Sequence, residues 1–210
     1  MDLTNLLTQR LGRAASDEIL NLVLADTRLF DQLLAAFIGK DTTQVNMAAM
    51  TMGNLARVQP TLLQPHQHCF YEVSLNPIHP GVRRNTMRYF CELPVLLESE
   101  NRVPDWVRQK HFLYLQSSNV NSKEQCYLEP ELEGELLDLS LQLIRDVREP
   151  TANRAFAAYL AKNLCLKYPE LAIEISGTLR EYQKTGTTGF ASAARNVIST
   201  LDRLMEDFGL

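Results

Sequence analysis

Apolar residues recur at helical spacing along the whole chain, and turn residues cut them into segments of about one helix each. Leu3, Leu6, Leu7 and Leu11 predict a short helix over residues 2–11, ended by Gly12. Ser16 is placed to cap a second helix with Ile19, Leu20, Val23 and Leu24 inward. After a break at Ala25-Asp26-Thr27, a third carries Leu29, Phe30, Leu33, Leu34, Phe37 and Ile38. That stripe is wide, so this helix needs neighbours on more than one side. Gly39 stops it, and Asp41, Thr42 or Thr43 caps the next, whose inner face is Val45, Ala49, Met52 and Leu55. Pro60 and Pro65 bracket a connector, and a helix is expected over 66–75. Pro80, tolerated in a first helical turn, opens another through Leu93, where Pro94 kinks or ends it.

In the second half, Val103-Pro104-Asp105 predicts a helix carrying Trp106, Val107, Phe112, Leu113 and Leu115. Ser122 with Gln125 fits a capping box for a short helical piece at 123–128. Pro130 precedes a helix with Leu132, Leu136, Leu137, Leu139, Leu143, Ile144 and Val147. An Ala-rich helix follows over 151–168, then a partner after Pro169 with Leu171, Ile175, Leu179 and Tyr182. The final helix carries Phe190, Val197, Ile198, Leu201, Leu204, Met205 and Phe208. No segment sustains period-2 alternation and no Asn-Gly or Asp-Gly turn occurs, so no strand is expected.

Four of these segments share one shape: a turn signal, a short polar opening, and a helix closing on leucine. The closing residues are Leu55, Leu93, Leu164 and Leu201. They stand 38 residues apart (55 to 93), then 71 (93 to 164), then 37 (164 to 201), so the middle interval hides one further repeat. A period in the mid-thirties with helix-pair content predicts an all-α fold, an α–α superhelix of about five helix pairs. A single domain over residues 1–210 is expected. Helices 43–56, 81–92, 152–166 and 190–206 would line its concave face, with Asp202, Arg203, Glu206 and Asp207 capping one end.

The segments around Val45-Asn46, Val82-Arg83, Asn153-Arg154 and Ser192-Ala193-Ala194-Arg195 resemble HEAT-like repeats. The layout is also similar to small HEAT-like proteins of Bacteroidetes, through L-V-L-A-D-T-R-L-F-D-Q-L-L and S-A-A-R-N-V-I-S-T-L. Some of those carry an adenylosuccinate lyase label. The lyase superfamily's loop resembles S-S-x-M-P-x-K-x-N, which is absent here, so that activity is not expected. The resemblance implies a repeat scaffold for a protein or peptide partner. A second reading is a nucleic-acid binder resembling the HEAT-like DNA alkylation-repair glycosylases, and a third is a small enzyme.

Composition narrows these readings. The chain has 210 residues, 45% of them hydrophobic and 22% charged, which suits a folded domain. Its net charge of −4 counts against a general nucleic-acid or anionic-membrane binder. Cys69, Cys91, Cys126 and Cys165 lie far apart beside apolar residues and read as core thiols of a reducing compartment. With no signal-peptide pattern and no run of about 20 apolar residues, a cytoplasmic location is expected.

Motifs for catalysis are missing. No G-x-S-x-G elbow and no Gly-rich phosphate loop occurs, and no catalytic residue and no cofactor are expected. His66-Gln67-His68-Cys69 groups metal-ligand types, but His at i and i+2 diverge on a helix and nothing completes the set, so no metal is expected. HEAT-like hydroxylases carry paired His-Glu dipeptides, and here Gln67, Cys69, Pro80 and Phe112 follow the histidines. The basic cluster His79, Arg83, Arg84 and Arg88, extended by Arg102, Arg108 and Lys110, reads either as a partner patch or as a solvated face paired to Glu92 and Glu98. Trp106 is a candidate partner anchor, and Arg154 and Arg195 are candidates for a ladder along inner helices. The run Glu129, Glu131, Glu133, Glu135 is expected to serve a helix dipole and solubility.

Overall fold

The structure, a computed structural model, describes residues 2–8, 12–97, 104–106, 112–114 and 126–210. Helices make up most of them, and the protein is an all-α helical-repeat fold of the superhelix class. Its contacts fall into two compact units, Met1–Tyr89 and Phe90–Leu210.

The first unit contains α1 (Thr4–Leu7), α2 (Arg13–Ala25), α3 (Phe30–Phe37), α4 (Thr42–Val58), α5 (Gln67–Leu75) and the start of α6 (Pro80–Glu92). Asp41 is the residue that caps α4, its Oδ1 accepting from the amides of Thr43 and Gln44 at 2.9 and 3.0 Å. Ser16 does not cap α2, which starts at Arg13 behind Gly12. Its hydroxyl is buried instead, 3.2 Å from the Thr51 hydroxyl on α4. α1 ends at Leu7, and Leu11 lies outside the described residues.

Small residues let α4 approach its neighbours closely. Ala48, Ala49 and Gly53 are buried, and a Cβ added at Gly53 would overlap the Asn85 side chain on α6. Aromatic edges fill the space beside them. Phe70 meets both Phe37 and Tyr89 edge-on with centroids 5.6 Å apart, and Phe30 lies 5.2 Å from the His66 ring.

The second unit holds the end of α6, a two-stranded pair, α7 (Glu133–Arg145), α8 (Thr151–Lys167), α9 (Ala172–Tyr182) and α10 (Thr188–Phe208). The strands correct the sequence expectation: β1 (Val95–Leu97) pairs in parallel with β2 (Phe112–Tyr114), where a helix had been expected to run through 112–115. Val95, Leu96 and Leu97 are all buried, so the strand has no polar face and shows no alternation. Cys126–Leu128 is not helical either. Leu128 bridges to Val95 and donates its amide to the Pro94 carbonyl at 2.8 Å. The Ser122–Gln125 capping pair lies outside the described residues.

α7 and α8 are antiparallel. Glu133, opening α7, meets Lys167, closing α8, while Arg154 near the start of α8 reaches Ile144 near the end of α7. α8 is buried on several sides, through Ala157, Ala158, Leu160, Ala161 and Leu164. α10 packs on α8 and α9. It is capped by the Thr187 hydroxyl and ends at Gly209, whose φ of 68° is the left-handed form glycine adopts freely.

Candidate functional site

Two arginines suspected of meeting a partner are taken up inside the fold. Arg83 donates from Nε to the Ser74 carbonyl at 2.8 Å and from Nη2 to the Leu75 carbonyl at 2.6 Å. Arg154 donates from Nε and Nη2 to the Ile144 carbonyl at 3.2 and 2.8 Å. Each is the fourth residue of its helix, α6 or α8, and each reaches the last turn of the helix before it. Carbonyls there have no partner within their own helix, so a guanidinium fork completes them.

Arg154 is only 2% exposed, which removes it from any partner surface. Burial lowers its pKa, and the nearby Asp146 carboxylate opposes that shift. Arg195 is not its counterpart. The fourth residue of α10 is Ala191, and Arg195 sits one turn later, on the surface.

The rest of the basic cluster divides. The His79 Nδ1 accepts from the Gly81 amide at 3.0 Å and so serves the first turn of α6. Arg84 points outward and makes no hydrogen bond or ion pair among the described residues. Arg88 is half-buried and is partnered. Arg102, Arg108 and Lys110, and Glu98 with them, lie outside the described residues.

Trp106 is occupied within its own unit. Its Nε1 donates to Asp207 Oδ2 at 2.6 Å, and the Arg203 guanidinium lies 4.5 Å from the centroid of its ring. Of the glutamate run, Glu133 is not solvated. It is 3% exposed, accepts from Lys167 Nζ at 2.9 and 3.0 Å, and accepts from the Tyr168 hydroxyl at 2.6 Å. Nothing in the spacing of four glutamates separates this buried one from the rest.

The second unit carries an open groove of about 660 Å³ between α9 and α10. From α10 it takes Arg195, Ser199, Arg203 and Glu206, which share a face at i, i+4, i+8 and i+11. α9 and the turn after it contribute Arg180 and Gln183. Ile198, 6% exposed, supplies an apolar floor. Arg180 is tied to Asp202 by bonds of 2.6 and 2.7 Å. Neither Arg195 nor Arg203 has a carboxylate partner among the described residues. The sequence reading found Arg195 but not the groove. The missed signal is the polar stripe running the length of α10 opposite its apolar one.

Among the described residues, no three His, Cys, Asp or Glu side chains gather as a metal site. His66 lies between the rings of Phe30 and Phe70, while His68 is exposed. No helix among the described residues is long and apolar enough to cross a membrane.

No curated protein and no solved structure gives a significant match to the chain, so neither the lyase label nor the likeness to Bacteroidetes proteins gains support. One family comparison does succeed, over a stretch that takes in α7, α8, α9 and most of α10. Residues 122–201 match the HEAT repeat domain, and that stretch of the chain is similar to it.

Proposed function

We propose that the chain is a non-catalytic protein-interaction module of the cytoplasm, with a partner seated on exposed polar faces of its repeat helices. The observation carrying this reading is the α9–α10 groove. It is of ligand-binding size and lies within the HEAT-like stretch, and its Arg195 is left uncommitted. Arg84 on α6, exposed and without a partner among the described residues, is a cation of the same kind in the first unit. Arg83, Arg154, His79 and Trp106 then act from within, holding the helices that present these faces.

The test is cross-linking in native lysate followed by mass spectrometry, comparing the natural protein with Arg84→Glu and Arg195→Glu. Both substitutions touch groups without internal partners, so the fold is retained. A defined protein cross-linked to α9–α10 and lost in Arg195→Glu is the expected result. Recovery of nucleic acid instead, released steeply by salt, would replace this reading with the phosphate-binding one.

A further inference from the structure

The groove's charges are arranged in an order that selects among ligands. Along α10 they run Arg195, Asp202, Arg203, Glu206, so positive and negative groups alternate. A nucleic-acid strand carries one anion at every nucleotide and would meet Asp202 and Glu206 with like charge. A small anion needs a closed cradle, whereas this site is an open trough with an apolar floor at Ile198. A peptide with separated charges fits both features.

Two cations define the spacing. Arg195 and Arg203 are eight residues apart on one helix face, which is about 12 Å along the axis. An extended chain rises about 3.3 Å per residue, and its residues i and i+4 point to the same side, about 13 Å apart. Asp202 does not neutralise either cation, because Arg180 holds both of its oxygens. Stacking on Trp106 fixes the Arg203 guanidinium and leaves its edges free to donate to a carboxylate. Glu206, one turn beyond, rejects a further acid at that end.

From this geometry we infer that the α9–α10 groove binds an extended acidic segment of a protein partner through two carboxylates four residues apart, one on Arg195 and one on Arg203. This rests on the interaction-module reading and gives the partner's chemistry.

The experiment uses the full chain and a fluorescein-labelled nine-residue peptide with glutamates four positions apart in a Gly/Ser/Ala background. A second peptide has both glutamates replaced by glutamine, and a third has them two positions apart. Fluorescence anisotropy gives affinity, and amide shift changes in α9 and α10 give location. The glutamate peptide is expected to bind at least about tenfold tighter than either other peptide, and to lose about tenfold with Arg195→Ala but nothing with a substitution at the exposed Lys40, Lys40→Ala. Because Arg203→Ala also releases Trp106, Arg195→Ala is the deciding variant. Equal binding of the glutamate and glutamine peptides, with α9–α10 shifts, would overturn the acidic chemistry and keep the groove as the seat. No shift with any peptide, together with a cross-linked partner indifferent to Arg195→Glu, would overturn both.

Discussion

The Arg154 guanidinium lies over the ring of Phe190, 3.9 Å from its centroid, while donating twice to the Ile144 carbonyl. One side chain on α8 thus closes the end of α7 and receives the first turn of α10. Gly186 completes the arrangement, since a Cβ there would press against both Phe190 and Arg154. A point charge on a flexible stem reproduces neither the fork nor the flat stacking surface. Arg154→Ala leaves Ile144 with an unpaired carbonyl and strips one face of Phe190. The expected loss is about 2–4 kcal/mol, read as a lower urea midpoint with unchanged slope. Arg154→Lys is expected to recover less than half of it. Full recovery by lysine would show that charge alone, and not the fork, holds the three helices.

The Glu133–Lys167–Tyr168 cluster makes stability fall at alkaline pH. Burial works to lower the Lys167 pKa, but the hydrogen bond and charge of Glu133 outweigh it and raise it above 10.5. Burial, then the bond and charge of Glu133, likewise raise the Tyr168 hydroxyl above 10.0. A group whose pKa is raised on folding stabilises fully below its unfolded value, and that stabilisation is lost as pH climbs through the folded one. Both groups therefore act in the same direction, and the natural protein is expected to lose stability above about pH 10. Glu133→Gln removes the carboxylate paired with a lysine whose side chain is 9% exposed. It is expected to cost about 3–5 kcal/mol at pH 7 and to flatten the alkaline limb. Urea titrations of both proteins from pH 7 to 11 measure the two effects. Parallel curves would place the alkaline loss elsewhere in the chain.

Helix positions were legible because burial in a repeat leaves a 3.6-residue period and because caps such as Asp41 and Thr187 are local. The strands were not, since Val95–Leu97 is buried throughout and gives neither period. The candidate site was half legible for a similar reason. Sequence marks where an arginine sits on a helix but not how the side chain turns. Arg83 and Arg84 are adjacent, yet one caps α5 and the other has no partner among the described residues. The groove required knowing that Arg180 spends its charge on Asp202, a pairing across 22 positions. The inner face of α4 was legible from its spacing, but not its close neighbour, the Asn85 side chain above Gly53.

That approach sets up a test in which helix propensity and packing oppose each other. In an exposed helix, Gly→Ala gains about 1 kcal/mol from propensity. Gly53 is mid-helix in α4 but buried, and its added Cβ would collide with Asn85. Asn85 is 8% exposed and donates from Nδ2 to the Gly81 carbonyl at 2.8 Å, a buried bond that it would have to strain to retreat. Overpacking of this kind costs about 1–3 kcal/mol, and the net effect of Gly53→Ala is expected to be a loss. Asn85→Ala alone should also destabilise, by removing a buried bond and leaving space. Combined, the two substitutions should be milder than their sum, because the new methyl occupies the room Asn85 vacates. A double-mutant cycle in urea reads this as a favourable coupling of about 1 kcal/mol or more. Simple additivity would mean that α4 and α6 move apart to take the methyl, and the close approach would then not be a constraint on the first unit.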